Sequence, residues 1–520
     1  MNKEIDEISK IENDNTKIKN KLISNTFYLF LDWFAISITG FLFWIINGKL
    51  LIPEEYGIVS ASINFALLLS GLSLLGMHAV VWKLIPEYLA RGQKVKIPSL
   101  IKFSFASVLI SNIIVLFIII FLSKPLSPVL KIPSTVLVLT GLALFSYAIV
   151  LLFRYIIYGF QNMKVIAITD FIGQLVKVIV SPILILLGFT YFGPIVGFLL
   201  SSILIILLRI KYISLRSDNV KIDKKLITFN YALPAFITMV AWLMFFNGQY
   251  VLLSAIKNPE ITGLYTVSMT LSSILAVIPA TLNSALLPIT SQLSIKEDNK
   301  KKQGRLVELV FRYGLLVTLP LAVILVVFSK TAVVLFSRVE YLEAHRFLPL
   351  LVFGAIAYGI GNIFLENIYA IGKTKVYRNI VVVVSITFLI LAFPLIYLFS
   401  AFGSAFAYVI STLLWALLSF FYIRKFMNFN PSAIDMIKLI IAGGIFFGFL
   451  NIMKSFYQNI IFQGVLAGIG VLIYLVVLLL LRFYSRSDVM ILDTIVRRSP
   501  IFNRQITKLW NILLKLINRV

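Results

Sequence analysis

The chain has 520 residues, of which 60% are hydrophobic, and a formal net charge of +25. A soluble domain cannot bury that much apolar surface, so the composition predicts an α-helical membrane protein with many spans, and its basic loops suit an anionic membrane surface rather than nucleic acid. The absence of cysteine excludes disulfides and thiolate chemistry, and two histidines are too few to suggest a metal site.

Residues 1–21 are charged and lack an apolar core, so they predict a cytosolic tail rather than a cleavable signal peptide. Beyond them the chain contains fourteen apolar stretches of about 20 residues, the length that a helix needs to cross a bilayer. The predicted spans are 24–48, 55–82, 98–123, 133–158, 164–188, 191–211, 227–254, 260–292, 305–329, 344–371, 376–400, 402–423, 432–452 and 459–482.

The positions of the basic residues support this number of spans. With the N-terminus in the cytosol, 36 of the 47 Lys and Arg residues fall in cytosolic segments, eight in external segments, and three within spans: Arg154, Lys177 and Arg312. A missed or false helix would invert the alternation after it and spoil this positive-inside pattern. We therefore expect both termini in the cytosol and the protein in the plasma membrane.

Two short sequence echoes predict an internal duplication. The first repeats Pro, Glu and Gly of 53–57 in 259–263, at an offset of 206 residues. The second repeats Tyr, Lys and Val of 158–165 in 369–376, at an offset of 211 residues. Six spans separate the two copies, so both halves share one orientation, as in transporters built from parallel repeats.

The repeat and the spans together predict a sequence of six segments. These are a cytosolic tail (1–21), an N-lobe of six spans (22–212), a basic cytosolic linker (213–225), a C-lobe of six spans (226–426), an added helix pair (427–482) and a basic amphipathic tail (483–520). Apolar and basic residues of 501–520 follow opposite faces of a helix, which predicts a segment lying on anionic membrane lipids.

Charged side chains within spans are costly, so they usually face the bundle interior or an aqueous cavity. Asp32 lies about two turns inside the first span, which favours a cavity role. Asp170 and Lys177 share one face of the fifth span, where they could instead pair with each other. The charges near cytosolic helix ends could equally reach toward the head groups; they are Arg154, Arg312 and Glu366.

No enzymatic constellation is visible. The sequence lacks a Walker A loop and a Ser/His/Asp set, and its external loops are too short for the site of a glycosyltransferase. We therefore predict a protein that is not an enzyme and that needs no cofactor or metal.

The stretch 49–57, Lys-Leu-Leu-Ile-Pro-Glu-Glu-Tyr-Gly, resembles the first external hairpin of polysaccharide and oligosaccharide-lipid flippases. These belong to the multidrug/oligosaccharidyl-lipid/polysaccharide exporter (MOP) superfamily. The stretches 85–88, 158–161 and 261–265 also look like this family. At the end of the seventh span the family often carries Asp-Arg, whereas this chain has Gln-Tyr at 249–250.

The resemblance implies a flippase that moves a polyprenyl-(pyro)phosphate-linked oligosaccharide from the cytosolic to the outer leaflet by alternating access. An anionic phosphate would need polar and cationic partners. The residues expected to contact the substrate are Asp32, Lys49, Arg154, Lys177 and Arg312. The carboxylates expected to couple transport to a cation, H⁺ or Na⁺, are Asp32, Asp170 and Glu366.

Two alternatives within the superfamily stay open at this point. A multidrug or cation antiporter typically has twelve spans and would favour acidic residues in its cavity. A flippase for a cell-wall lipid precursor would differ only in its cargo. A membrane-embedded glycan polymerase would need a large external loop with catalytic Arg or His, which the sequence lacks.

Overall fold

The computed structural model describes residues 2–213, 220–294, 299–456 and 459–484, and the side chains of these residues after position 23 except 26, 285 and 288. Within these ranges the chain forms helices and turns and no strand. The predicted amphipathic tail beyond Tyr484, the linker residues 214–219 and the side chains of the N-terminal tail lie outside what is described.

Sixteen helices occur in the described ranges. Those of the first half are α1 (Asn2–Leu50), α2 (Pro53–Ser73), α3 (Met77–Ala90), α4 (Lys96–Leu130), α5 (Ser134–Gly159), α6 (Met163–Leu184), α7 (Phe192–Arg209) and the short α8 (Lys224–Ile227). Those of the second half are α9 (Leu233–Ile256), α10 (Pro259–Leu293), α11 (Lys300–Val327), α12 (Ser329–Phe336), α13 (Leu348–Ala370), α14 (Thr374–Met427), α15 (Ala433–Met453) and α16 (Ile460–Leu480).

Thirteen helical stretches of the described residues are long and apolar enough to cross a bilayer. The longest, α14, has 54 residues and breaks at Ser400, whose backbone is non-helical (φ 57°, ψ −132°). Its two arms match the predicted spans 376–400 and 402–423, and counting them separately gives fourteen crossings. The prediction of a fourteen-span helical membrane protein is confirmed.

The predicted second span, 55–82, is not one continuous helix. It is divided between α2 and α3 by a left-handed turn at Leu75 (φ 48°) and Gly76 (φ 77°). A Cβ atom at position 76 would lie 2.0 Å from the carbonyl oxygen of Ala232, just before α9 begins. Only glycine accepts both this backbone conformation and this close approach, and hydropathy alone does not reveal such a break.

We call the end of the bundle with the α1–α2 turn the Pro53 face, and the end with the α5–α6 turn the Tyr158 face. Residues after α11 add structure at the Pro53 face that hydropathy does not predict. They form α12 and a 3₁₀ segment, Val339–Arg346. Tyr341 of this segment is fully buried, and its hydroxyl donates to the Leu51 carbonyl oxygen at 2.9 Å.

The helices pack as two lobes and an added pair. In the N-lobe, α5 packs against α2, α4 and α7, and α6 packs against α1 and α7. In the C-lobe, α13 packs against α10 and α14, and α14 against α9. The pair α15–α16 packs against α11 of the C-lobe. Helix α2 crosses between the lobes, because it also packs against α9 and α10.

The closest approach of the lobes joins repeat-equivalent residues at the Pro53 face. A Cβ atom on Gly57 would lie 1.7 Å from the Pro259 carbonyl oxygen, and one on Gly263 would lie 2.0 Å from that of Pro53. The two contacts mirror each other across a pseudo-twofold axis. The Pro53 and Pro259 corners therefore lie at the same end of the bundle, as a parallel repeat requires.

Candidate functional site between the lobes

Four charged side chains form one network in the N-lobe. Arg154 donates to Asp32 at 2.5 Å and lies 3.1 Å from an oxygen of Asp170, whose other oxygen is 2.7 Å from Arg209. Asp32 is 2% exposed and the Arg209 side chain is 0% exposed, whereas the Arg154 side chain keeps 21%. Two cations and two anions balance, so helices α1, α5, α6 and α7 are linked by a neutral set of ion pairs.

Arg209 is the member of this network that sequence reasoning missed, because it was counted among the cytosolic basic residues. The structure buries it in the last turn of α7, where it also donates to the Thr169 hydroxyl at 2.9 Å and to the Val150 carbonyl oxygen at 3.2 Å. A signal was present: Arg209 and Asp170 each lie within two turns of the same end of neighbouring helices. Because both residues lie at a similar depth in the bundle, their side chains can meet between α6 and α7.

Lys177 does not pair with Asp170, which is engaged by the two arginines. No carboxylate of the described residues lies within ion-pairing distance of Lys177, and its ammonium instead sits 4.7 Å from the centre of the Phe43 ring. One turn earlier, the buried Oε1 atom of Gln174 has no hydrogen-bond partner within the described part of the chain. Both side chains therefore present unused polar groups.

These groups line a cavity of about 210 Å³ between the lobes. Both halves of the chain contribute to its wall. The lining residues are Phe43, Trp44, Ile63, Asn64, Leu67, Tyr147, Gln174, Lys177 and Phe198 of the N-lobe, and Tyr250, Thr266 and Thr270 of the C-lobe. The wall contains one cation and several hydroxyl and amide groups, and most of its other side chains are aromatic. Such a wall resembles those of sites that bind a ligand with a charged group.

The cavity is closed toward the Pro53 face. The hydroxyl groups of Ser60 and Thr266 are 2.7 Å apart across the lobe boundary, one turn beyond the Gly57–Gly263 contact. Farther out, Ser254 donates to the Leu130 carbonyl oxygen at 2.8 Å. Toward the Tyr158 face, no hydrogen bond between described residues joins α5 or α6 to α13 or α14.

Of the five predicted substrate residues only Lys177 lines this cavity. Asp32 and Arg154 belong to the charge network, and the other two lie elsewhere. Lys49, at the end of α1, donates to the Val334 carbonyl oxygen at 2.7 Å on the Pro53 face. Arg312 lies 3.1 Å from Asp435 of α15 and donates to the Phe483 carbonyl oxygen, with its guanidinium 4.3 Å from the Phe483 ring centre. Arg312 therefore links the added pair to α11 and is not placed at the cavity wall.

Glu366 lies about one turn from the end of α13, near the Tyr158 face. Within the described residues it forms no ion pair and no hydrogen bond through its side chain. The side chain of its neighbour Asn367 instead donates to the Asn283 side-chain oxygen at 2.7 Å.

Across the described ranges there is no group of three or more His, Asp or Glu residues that could hold a metal ion.

Comparison with solved structures identifies the fold. The chain is similar to the lipid II flippase MurJ in an inward closed conformation (TM-score 0.73, 18% identity, 90% of this chain and 99% of that one). It is also similar to an inward-facing multidrug resistance MATE family transporter of the MOP superfamily (TM-score 0.60, 14% identity, 78% and 94%). The chain therefore shares its fold with these two proteins.

The family follows from the sequence. The family model described as polysaccharide biosynthesis protein matches residues 22–294, more than half of the chain, and the MatE model matches 234–398. The chain therefore belongs to the polysaccharide biosynthesis protein family. A full-length relative, the uncharacterized membrane protein MJ1068 of Methanocaldococcus jannaschii, is 23% identical over 481 residues, covering 87% of this chain and 93% of its own.

Proposed function

We propose that the protein is a flippase that moves a polyprenyl-(pyro)phosphate-linked oligosaccharide from the cytosolic to the outer leaflet, for surface polysaccharide or glycan assembly. The observation that carries this proposal is the cavity between the lobes, in whose wall Lys177 has no carboxylate partner and Gln174 Oε1 no hydrogen-bond partner among the described residues. A lipid-linked phosphate needs a cation and hydrogen-bond donors to leave water, and its lipid chain can stay in the bilayer while the head group crosses.

The Pro53 face is assigned to the outside and the Tyr158 face to the cytosol of a plasma membrane, because the basic segments then lie in the cytosol. The conformation described above is then closed outward. Transport also requires a second conformation, in which the Gly57–Gly263 contact is open and α5 closes against α13. Alternation between the two conformations exposes the head group to each side of the membrane in turn.

In this scheme Lys177 is the first phosphate contact, and Arg154, the most exposed member of the charge network, is a second. Asp32, Asp170 and Arg209 hold Arg154 in place. Asp32 keeps one buried oxygen, Oδ1, without a hydrogen-bond partner among the described residues, so it remains our candidate for binding a coupling H⁺ or Na⁺.

Two other transport functions each have one observation in their favour. A cation antiporter is favoured by the MatE match but disfavoured by the cavity wall, whose lining residues include Lys177 and no Asp or Glu. A cell-wall lipid precursor is favoured by the structural likeness to MurJ. Such a precursor falls within the chemistry proposed here, since the cavity offers the same contacts to any lipid-linked phosphate.

The test is transbilayer movement of a fluorescent polyprenyl-phosphate-linked saccharide in proteoliposomes that hold the full-length protein. Lys177→Gln should reduce the rate at least about tenfold, the effect of losing one charged hydrogen bond. Lys330→Gln, which changes an exposed lysine of α12, should leave it unchanged. Absence of movement with the unaltered protein, or full activity of Lys177→Gln, would overturn the proposal.

A further inference from the structure

The α13 helix carries a polar stripe along one face. Tyr358, Asn362, Glu366 and Tyr369 follow one another at helical spacing and so share this face. Tyr369 packs against Tyr377 of α14 with ring centres 5.1 Å apart. A carboxylate and three phenol rings thus lie along one edge of the C-lobe.

This stripe has a counterpart in the N-lobe. At the repeat offset of 211, Tyr358 corresponds to Tyr147 and Tyr369 to Tyr158, so the tyrosines are kept in both lobes. The charges are not kept. Leu365 stands at the equivalent of Arg154, and buried Val381 at the equivalent of Asp170. The two lobes therefore present similar aromatic frames with different charge.

This difference in charge between the lobes gives the two sides of the lobe boundary opposite charges. The N-lobe network is neutral, whereas Lys177 in the cavity wall has no carboxylate partner within the described part of the chain. On the C-lobe side Glu366 is an unpaired anion, judged from the described residues. A carboxylate inside a span without a partner is costly unless a ligand or proton compensates it. Aromatic faces around a carboxylate favour an organic cation, since they also attract positive charge.

We propose that Glu366, with Tyr358, Tyr369 and Tyr377, binds an ammonium group on the transported head group. This inference rests on the proposed flippase function. At a rise of 1.5 Å per residue, Lys177 lies roughly 21 Å from the cytosolic end of α6 and Glu366 roughly 6 Å from that of α13. The two charges therefore bind different ends of one extended head group, its phosphate and its amine. The substrate class is a zwitterionic lipid-linked saccharide that contains an amino sugar.

Binding of a matched ligand pair to the purified full-length protein tests this assignment. The pair is a short-chain polyprenyl-phosphate-linked saccharide with a free amino sugar and the same compound N-acetylated, which removes only the positive charge. The unaltered protein should bind the amino form about tenfold more tightly. Glu366→Gln should bind both forms equally, whereas Glu260→Gln, a change of an exposed acid on α10, should keep the preference.

Further variants separate a charge effect from a folding defect. Glu366→Asp keeps the carboxylate and should keep a reduced preference, and Tyr369→Phe keeps the ring and should behave as the unaltered protein. Tyr369→Leu should lose part of the preference. Lys177→Gln should weaken both ligands by the same factor, because it acts on the phosphate.

The outcomes distinguish this inference from the proposed function. Equal binding of both ligands by the unaltered protein, with weakening of both by Lys177→Gln, would overturn the ammonium site and leave the flippase intact. The ammonium site is also overturned if Glu366→Gln stops transport but keeps the preference, which would assign Glu366 to cation coupling. Binding of neither ligand would overturn the flippase proposal itself.

Discussion

The hydroxyl groups of Ser60 and Thr266 lie 2.7 Å apart, and the two residues are separated by 206 positions, the offset that also relates Pro53 to Pro259. Repeat-equivalent residues thus touch each other where α2 meets α10. Contact between equivalent residues is expected only on or near the pseudo-twofold axis. The closure at the Pro53 face is therefore built on the symmetry axis of the molecule.

The Gly57–Pro259 contact predicts a substitution that opens this closure. In Gly57→Ala the added methyl group would meet a backbone carbonyl oxygen at 1.7 Å, so α2 and α10 must separate. We expect a shift toward the outward-open state. The measurement is labelling of Asn64→Cys, in the cavity wall, by a thiol reagent that cannot cross the membrane, since the chain has no other cysteine.

Gly57→Ala should raise the external labelling rate severalfold over the Asn64→Cys background. Gly40→Ala serves as the control, because a Cβ atom there meets nothing within 4 Å. Labelling that is equally slow with and without the Gly57→Ala substitution would show that the contact does not limit access.

The N-lobe network predicts strongly unequal effects of single and paired substitutions. Arg209→Gln leaves Asp170 with one partner in a fully buried place and should cost about 3–5 kcal/mol of stability. Asp170→Asn should cost a similar amount, and the double variant less than the sum of the two. The measurement is the thermal unfolding midpoint of the purified protein.

Arg91→Gln is the matched control for this series, because it removes an exposed arginine paired with Glu87 at 2.8 Å. Such a surface pair should contribute at most about 1 kcal/mol. Strict additivity of the two buried substitutions would mean that Asp170 and Arg209 do not act as a unit.

The Arg312–Asp435 pair predicts a role in holding the added helices. Asp435→Asn removes the carboxylate at 3.1 Å from Arg312, so α15 should pack less firmly on α11. Faster hydrogen exchange of α15, with little change in substrate binding, is the expected result. Glu340→Gln, in an exposed pair with Arg338, is the control. A loss of substrate binding would instead return Arg312 to the substrate site.

Much of this architecture could be predicted from the sequence. Hydropathy and the positive-inside pattern predict fourteen spans, because the bilayer imposes length and charge on each span separately. The break between α2 and α3 was not predicted because it depends on the approach of Ala232, which is distant in sequence. The break within α14 was predicted, because Ser400 lies where the predicted spans 376–400 and 402–423 meet.

The site was predicted only in part, because the sequence shows which residues are charged but not which residues they contact. Asp32, Arg154 and Asp170 were singled out for being charged within spans, and the structure joins them. Arg209 was assigned to the cytosol because arginine at a helix end usually reaches water. The roles of Lys177 and Glu366 remain predictions, which the proposed binding and transport measurements address.

Crosslinking at the Ser60–Thr266 contact tests the central claim most directly. The chain contains no cysteine, so Ser60→Cys with Thr266→Cys introduces a single pair at positions whose hydroxyl oxygens are 2.7 Å apart. We predict that oxidation stops movement of the lipid-linked saccharide, that reduction restores it, and that either single variant is insensitive to both. Undiminished transport by the fully crosslinked protein would contradict alternating access through this outer closure.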